Sequence, residues 1–241
     1  MPGMRRNPYG YQVSFGPALT PAVKGLVIAN GVAFVMQLLT SNQMLPIFGL
    51  TPALVTRQFF LWQLGTYLFL HGGMMHLLFN MLGLWMFGSD LERHWGAAFF
   101  LRYYFVTGVG AGLLSVLVHP SSTEVTIGAS GAVYGVLLAF GMLFPDRMIL
   151  LYFIIPIKAK YFVAGLGALA FFSALQSPGG PIAHLAHLGG MLFGFGYLKG
   201  WIAPGFWKQH YLRWRMQRLR RRFQVYHGQR NARDDDDYTV H

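Results

Sequence analysis

The sequence predicts an all-α, polytopic membrane protein: a bundle of six membrane-spanning helices with a long, partly immersed loop after the first helix. Of the 241 residues, 54% are hydrophobic and only 11% are charged, whereas soluble domains carry about 25% charged residues. The apolar residues are also gathered into several long runs. Lipid is therefore the expected solvent of this chain.

Six apolar runs are long enough to cross a bilayer, which takes about 20 mostly apolar residues. They lie near 22–40, 72–89, 97–118, 130–145, 161–176 and 182–203. The first run is expected to be retained as a span, because no small-residue cleavage site follows a short hydrophobic region. The predicted organisation is an N-terminal segment at 1–21, a six-helix membrane domain at 22–203 and a basic tail at 204–241.

Two segments depart from the pattern of simple spans. The apolar stretch at 148–157 is closed by Pro156, Lys158 and Lys160 after about ten residues, too few to cross. It is predicted to lie along the cytoplasmic interface, and the alternative joins it to the following span as one kinked helix. The loop at 41–65 is long and rich in proline and aromatic residues, which predicts a functional loop partly immersed in the outer leaflet.

The distribution of Lys and Arg predicts the orientation. The formal net charge is +11, and the positive residues concentrate at the two ends and in short stretches between spans. If the N-terminus is cytoplasmic, the opposite side holds essentially only Arg57. The cytoplasmic side then holds Arg5, Arg6, Arg93, Arg147, Lys158, Lys160 and the tail cluster. Both termini are therefore predicted to be cytoplasmic, with the protein in a cell (plasma) membrane.

The tail carries its own prediction of a partner. From Lys208 to Arg222, arginines alternate with Trp and Leu in a helical pattern. Anionic lipid headgroups are the predicted partner of this stretch. RNA binding is the less favoured alternative, and no nucleic acid partner is expected. The acidic run at 234–237 is predicted to be a solvated end.

Polar side chains inside a bilayer are costly and mark candidate functional sites. His76 and Asn80 are four residues apart in the second span, so both project from one helical face. His71 lies more than a turn earlier, near the outer interface. For His76 and Asn80 taken alone, a hydrogen-bonded pair that only holds helices together is an equally good interpretation.

Ser130 begins the fourth span, in the string Gly-Ala-Ser-Gly-Ala-Val-Tyr-Gly at 128–135. At the start of a helix the backbone N–H groups are unsatisfied and the helix dipole favours negative charge, so an oxyanion could form there. The string alone is a weak signal, because serine is a common packing residue in membrane helices.

His187 lies about one turn inside the sixth span and is the preferred partner of Ser130. Close helix packing could bring it within hydrogen-bond reach as a general base. His184, one turn nearer the outer surface, competes for this role. Stacking on Tyr134 could orient the imidazole, since no membrane-depth carboxylate is near. Small residues that permit close packing of the two spans are Gly131, Gly135, Gly189, Gly190 and Gly194.

Metal and thiol chemistry are not favoured. The chain has no cysteine, which excludes a disulfide framework, a thiol nucleophile and a thiolate metal site. His71, His76, His184 and His187 could in principle hold zinc, but no intramembrane acid accompanies them and the HExxH pattern is absent. The sequence therefore predicts no metal and no cofactor.

The chain resembles the rhomboid family of intramembrane serine proteases in three strings taken together. These are HGGMMHLLFN, GASGAVYG and AHLGGMLFG, in this order on spans two, four and six. The resemblance covers essentially the whole membrane region. It implies that Ser130 is the nucleophile and His187 the general base, with an oxyanion hole formed by His76, Asn80 and the Ser130 backbone N–H.

The resemblance also implies supporting roles and shows one departure. Tyr134 would pack on the base, Gly128 would give the entering loop room, and His71 matches the family's pattern at the end of the first loop. The family usually has Trp-Arg in this loop, whereas Trp62 is here followed by Gln63. The resemblance gives arginine at that place the role of bracing the loop, and Gln63 departs from it.

The expected function is cleavage of transmembrane segments of other membrane proteins by a Ser130/His187 dyad. The alternative is a catalytically inactive rhomboid-like protein that binds membrane clients. The presence of both dyad residues and both oxyanion side chains favours the enzyme. A transporter with a histidine-lined proton path is disfavoured, because the spans lack carboxylates and the two halves show no repeat.

Overall fold

Each of the six predicted apolar segments contains a helix in the computed structural model, which describes residues 17–151, 155–176 and 183–200. In chain order the helices are α1 (Pro21–Leu39), α2 (Leu45–Phe48), α3 (Pro52–Gln58), α4 (Gln63–Thr66), α5 (Met74–Trp95), α6 (Ala97–Val118), α7 (Ser130–Leu143), α8 (Ala159–Gln176) and α9 (Ala183–Leu198). By length and hydropathy α1 and α6 qualify as spans, and the bent pair Gln63–Phe69 plus α5 would make a third. The fold is therefore mostly helical, and the count of six spans stays a prediction.

Helix boundaries differ from the prediction where local chemistry decides them. Helix α1 begins at Pro21, which the sequence assigned to the N-terminal segment, because the fixed φ of proline suits the first helical turn. Helix α5 begins at Met74 and continues beyond the predicted end to Trp95, through a π-helical turn at Leu84–Gly88. Helix α8 begins at Ala159, earlier than predicted.

Helix α7 is too short to cross the hydrocarbon core by itself. Its 14 residues span about 21 Å at 1.5 Å per residue, whereas the core is about 30 Å thick. Ser130 is its first residue, as predicted. A short helix in a membrane bundle leaves one end at membrane depth, and at its Ser130 end the chain arrives through a non-helical loop.

The described residues of the stretch at 148–157 form two paired β-strands, so the prediction of a purely α-helical fold is wrong here. Strand β1 (Met148–Leu151) pairs antiparallel with β2 (Ile155–Lys158), with Ile149 opposite Ile157. The alternative that joined this stretch to the next span as one kinked helix is also wrong. Pro156 explains both corrections, because proline lacks the N–H that a helix interior requires and disfavours helical geometry in the residue before it.

The first loop is built from short helical pieces rather than irregular chain. Helices α2, α3 and α4 are followed by a 3-10 turn at Tyr67–Phe69. Phe59 ends α3 in the left-handed region, with φ 59°. Phe59, Leu61 and Trp62 are exposed, as a lipid-immersed loop requires, and their burial in the outer leaflet stays a prediction.

Charged residues assigned to the cytoplasm gather at one end of the bundle. Arg147, beyond α7, pairs with Asp90 of α5 at 2.7 Å, and Asp90 also pairs with Arg93. The buried carboxylate of Glu92 accepts hydrogen bonds from the Thr20 hydroxyl and from the first backbone N–H groups of α1. These bonds offset the cost of burying a charge and complement the helix dipole. Ser130 starts α7 at the opposite end.

Helix α6 lies at the centre of the bundle. Phe100, Tyr103, Tyr104 and Ala111 on this helix are fully buried. Residues through Phe195 form one unit, and Gly196–His241 are grouped separately. Of the second group only 196–200 are described, comprising the end of α9 and a short turn. The predictions for the basic tail and for residues 1–16 lie outside the described residues.

Candidate active site

Ser130 and His187 lie in hydrogen-bond contact. The Ser130 Oγ is 2.8 Å from the Nε2 of His187, although the two residues are 57 positions apart in the chain. Ser130 is the first residue of α7, and His187 is in the second turn of α9. Both side chains are half-buried. A neutral imidazole with its proton on Nδ1 would accept the serine proton at Nε2.

Glycines let α9 approach α7 and α6 closely enough for this contact. A Cβ on Gly190 would overlap the carbonyl group of Gly131. A Cβ on Gly131 would lie 2.6 Å from that of Ala111, and one on Gly189 would lie 2.9 Å from the Cα of Ala111. Real Cβ contacts are essentially never this short, so these three positions accept only glycine without a shift of the helices. The predicted close packing through small residues is confirmed.

Tyr134 holds the plane of the His187 ring. It lies one turn after Ser130, and its ring is stacked on the imidazole with centroids 4.2 Å apart and planes 5° apart. The ring of His184 is 6.1 Å from that of His187 and nearly perpendicular to it. Of the two histidines that the sequence offered as base, His187 is therefore the one brought to Ser130.

His76 faces the loop that leads into Ser130. Its Nδ1 accepts a hydrogen bond from the Gly72 N–H at 3.2 Å, so the neutral ring carries its proton on Nε2 and can donate from there. Gly128 has φ +118°, and a Cβ at this position would lie 2.8 Å from both Cε1 and Nε2 of His76. Only glycine allows both this backbone conformation and the close approach of the imidazole.

Asn80 lies one turn after His76 on the same face of α5 and is buried. Its Nδ2 donates to the His76 carbonyl oxygen at 2.9 Å. An amide nitrogen carries two hydrogens, so this bond orients the group and leaves a second donor. The bond joins two residues of one helix and is not the interhelical link that the sequence left open.

The placement of His71 near the outer interface stays a prediction, and the residue itself lies in the interior of the protein. It is fully buried, and its ring packs edge-on against that of His76 with centroids 5.1 Å apart. Gln37 of α1 clamps its backbone: Oε1 accepts the His71 N–H at 3.1 Å, and Nε2 donates to the His71 carbonyl oxygen at 2.7 Å. Sequence reasoning missed Gln37, although a polar residue in an apolar span is itself a signal.

The first loop supports the loop that precedes Ser130. Leu50 and Thr126 form an isolated antiparallel bridge, with N–H···O distances of 2.9 and 2.8 Å. The Gly128 N–H donates to the Tyr67 carbonyl oxygen at 2.9 Å. The Tyr67 hydroxyl in turn donates to the Gly108 carbonyl oxygen at 2.7 Å. The position of Ser130 therefore depends on the order of the first loop.

Gln63 ties the first loop together. The residue is fully buried, and its Oε1 accepts the Thr51 N–H at 3.0 Å. Its Nε2 lies 3.2 Å from the carbonyl oxygens of both Pro46 and Ile47 and donates to them. A neutral amide thus joins three points of the loop where the family usually has arginine. These hydrogen bonds support a bracing role for Gln63 in the loop.

We expect Gln63→Ala to lower the thermal unfolding midpoint by several degrees. The substitution leaves the buried Thr51 N–H without its acceptor, and such an unsatisfied group costs about 1–3 kcal/mol. The measurement is a thermal melt of the detergent-purified protein. Gln58→Ala is the matched control, because Gln58 is an exposed glutamine of the same loop. Equal melting of the two variants would contradict a bracing role for Gln63.

No metal centre is formed by the side chains that are described. Within residues 17–151, 155–176 and 183–200, no three His, Asp or Glu side chains converge as metal ligands. The four membrane histidines instead form two pairs, His71 with His76 and His184 with His187. The site brings together a hydroxyl from α7 and an imidazole from α9, with hydrogen-bond donors from a third helix, α5, nearby.

The chain matches known proteins over the part that carries this site. Residues 58–203 match the model of the Rhomboid domain. The chain is 38% identical over 139 residues to Rhomboid protein 1, mitochondrial, of Saccharomyces cerevisiae, which covers 55% of this chain and 39% of that protein. It is 32% identical over 158 residues to Rhomboid protease GluP of Bacillus subtilis, covering 65% of this chain and 29% of that protein.

A third relative shows the same pattern. RHOMBOID-like protein 12, mitochondrial, of Arabidopsis thaliana is 30% identical over 192 residues, covering 70% of this chain and 54% of that protein. The matched regions thus span roughly a third to a half of the length of these relatives. The domain match includes more than half of the chain, from the end of α3 to beyond α9. The chain is an integral membrane protein that belongs to the rhomboid family.

Proposed function

We propose that this protein is an intramembrane serine endopeptidase that cleaves transmembrane segments of other membrane proteins. The observation that carries the proposal is the 2.8 Å contact between the Ser130 Oγ and the His187 Nε2. Family membership supports it, because many rhomboids are serine proteases and one similar protein is named Rhomboid protease GluP. The alternative of an inactive client-binding protein would not need this contact.

In the proposed acylation step, His187 Nε2 takes the proton of the Ser130 hydroxyl as Oγ attacks the scissile carbonyl carbon. The tetrahedral intermediate then collapses, the C–N bond breaks, and the same proton passes from His187 to the leaving amine. Tyr134 holds the imidazole plane by stacking. The base therefore keeps its direction without an acidic residue as third member of a triad.

The proposed oxyanion hole combines donors from two helices. The Ser130 backbone N–H is at the first position of α7, where no intrahelical acceptor is available. His76 donates from Nε2, since its Nδ1 is occupied by the Gly72 N–H. Asn80 contributes its second amide hydrogen. Water then attacks the acyl ester with His187 as base, and the proton returns to Ser130 as the ester bond breaks.

The membrane setting supports transmembrane segments as the proposed substrate class. Ser130 starts a helix too short to reach across the hydrocarbon core, so a substrate must come to it within the bilayer and water must reach it from one face. A helical substrate hides its peptide bonds in its own hydrogen bonds. Cleavage should therefore favour segments with glycine, proline or small residues that unwind easily. The proposed orientation puts both termini in the cytoplasm.

A fluorophosphonate tests this proposal directly, because only an activated serine reacts with it. Full-length protein in lipid nanodiscs is expected to acquire one adduct, located at Ser130 by peptide mass spectrometry, and His187→Ala is expected to lose it. Ser115 is an internal reference, since its buried hydroxyl donates to the Ala111 carbonyl oxygen in its own helix. Absence of the Ser130 adduct from correctly folded protein would favour the client-binding alternative.

Asn80→Ala is expected to lower kcat about 100- to 1000-fold with little change in KM, because one oxyanion donor is lost only in the transition state. The measurement is cleavage of a model transmembrane substrate in proteoliposomes. Asn30→Ala is the matched control: Asn30 is also buried and donates to the carbonyl four residues before it, Leu26, but lies in α1. Equal losses in both variants would show that Asn80 acts only on helix stability.

A further inference from the structure

An apolar cleft opens between helices at the end of the bundle away from Ser130. Its volume is about 250 Å³, and α7, α8 and α9 line it. Its walls are almost entirely apolar, and Lys160 is its charged lining residue. Gly167 contributes to the width, because a Cβ there would come within 3.3 Å of the Met191 methyl group. The lining of the cleft includes Leu138, Met142, Lys160, Ala164, Gly167 and Met191.

Positive charge exceeds negative charge at the mouth of this cleft. Asp146 accepts ion pairs from both Lys160 (2.9 Å) and Lys158 (3.3 Å). Hydrogen bonds from these two lysines lower the pKa of the Asp146 carboxyl from its ordinary value, so it is ionised. Two lysines thus share one carboxylate, and the surplus at the mouth is one positive charge.

The ion pairs at the mouth leave these lysines available. The side chains of Lys158 and Lys160 are 46% and 41% exposed, and that of Asp146 is 66% exposed. Exposed pairs of this kind contribute little to stability. An incoming anion can therefore share these two lysines with Asp146, or replace Asp146 as their partner, at a small cost in free energy. Lys160 lines the cleft, and its ammonium group pairs with the exposed Asp146, which joins an apolar cleft to a cationic opening.

Strands β1 and β2 add an apolar surface beside the same opening. Met148 and Leu150 alternate to one face and are exposed, whereas Ile149 between them is buried on the other face. Lys158 is opposite Met148 in the register and so belongs to the exposed face. An apolar face with basic residues at its edge fits the interface of an anionic lipid leaflet.

We propose that this cleft binds an anionic phospholipid, with one acyl chain between α7 and α8 and the phosphate at Lys160 and Lys158. The chemistry of each part matches: the cleft has apolar walls that suit an acyl chain, and its mouth holds a surplus positive charge that suits a phosphate. Basic pockets between membrane helices are established sites for lipid headgroups in general. The proposal is independent of the catalytic one, because no residue of the Ser130 site takes part.

Photo-crosslinking tests the proposal with full-length protein in phosphatidylcholine nanodiscs. The probe is phosphatidylglycerol that carries a photoreactive diazirine in one acyl chain, and peptide mass spectrometry locates the adducts. Adducts are expected on cleft residues such as Leu138, Met142 and Gly167, and unlabelled phosphatidylglycerol should compete them away. Phosphatidylcholine with the same diazirine should label the cleft much less.

Two kinds of variant separate the apolar cleft from the charges. Ala164→Trp fills the cleft and is expected to reduce cleft labelling at least tenfold. Lys158→Gln and Lys160→Gln are each expected to reduce it about fivefold, the factor that corresponds to about 1 kcal/mol for a lysine at an anionic surface. Leu169→Trp is the matched control for bulk, since Leu169 is exposed on α8 outside the cleft lining. Arg57→Gln is the matched control for charge.

The possible results differ clearly. Labelling lost in Ala164→Trp and in the lysine variants, but kept in both controls, supports a phospholipid site. Equal labelling by the two lipids, or full labelling of Ala164→Trp, overturns it. If soluble glycerol phosphate competes as strongly as phosphatidylglycerol, the proposal is also overturned. Binding would then depend on the headgroup alone and would not need an acyl chain in the cleft. Thermal melts of each variant verify that altered labelling does not come from unfolding.

Discussion

Replacing Ser130 with alanine is expected to reduce cleavage of a transmembrane substrate by at least about 10⁴-fold, the scale of losses seen when the nucleophile of a serine protease is removed. The reason is chemical: the acyl-enzyme cannot form without Oγ, and the hydroxyl at 2.8 Å from His187 is gone. The measurement is the rate of product formation in proteoliposomes with purified wild-type and variant protein.

Two controls make the Ser130 result specific. Ser115→Ala removes another buried serine hydroxyl from the neighbouring helix α6 and should leave the rate unchanged. Ser130→Cys introduces a single thiol into a chain without cysteine, so a water-soluble maleimide reports directly whether water reaches this position. Cleavage by Ser130→Ala at the wild-type rate would refute the assignment of Ser130 as the nucleophile. A folded Ser130→Cys variant that does not react with the maleimide would refute the access of water to this site.

Replacing His187 with alanine is expected to cause a loss of similar size. The substitution removes the base at 2.8 Å from Ser130 and also the partner on which Tyr134 stacks. Without the base, the serine hydroxyl stays protonated and is a weak nucleophile. Cleavage kinetics and fluorophosphonate labelling should fall together, because both depend on the same activation.

His184→Ala is the matched control for His187. His184 is on the same helix, three residues earlier, and its ring is 6.1 Å from that of His187, so its loss should change the rate only slightly. The double variant Ser130→Ala/His187→Ala should be no slower than either single variant, since residues that act as a unit are not additive. A His184→Ala loss equal to that of His187→Ala would show that the assignment of the base is wrong.

The sequence predicted the helices well because a membrane span is a local property. Apolar runs of sufficient length mark α1 and α6, and Ser130 at the head of a short run marks the start of α7. The pairing of strands β1 and β2 was missed for a physical reason: a short apolar stretch has too few residues to show a helical or strand period. This pairing depends on contacts between strands.

The hydrogen bonds of Gln37 and Gln63 that support the site could not be predicted from the sequence for a different reason. Gln37 and His71 are 34 positions apart, and nothing local to Gln37 indicates which backbone it will meet. Gln63 was the residue that the family pattern made hardest to explain, yet its amide satisfies three backbone groups of the first loop. A family motif shows which residue type is usual at a position, whereas the structure shows which hydrogen bonds the residue actually present forms.

The sequence by itself determined the membrane class, the approximate positions of the six helices in apolar runs and the short list of polar residues within those runs, because hydrophobic length and the cost of burying polar groups are properties of each segment alone. Only the tertiary structure decided that His187 rather than His184 meets Ser130, that Gly128 admits His76, and that Gln63 braces the loop. These outcomes depend on how closely two helices approach, and that distance is set by glycine contacts on both surfaces at once.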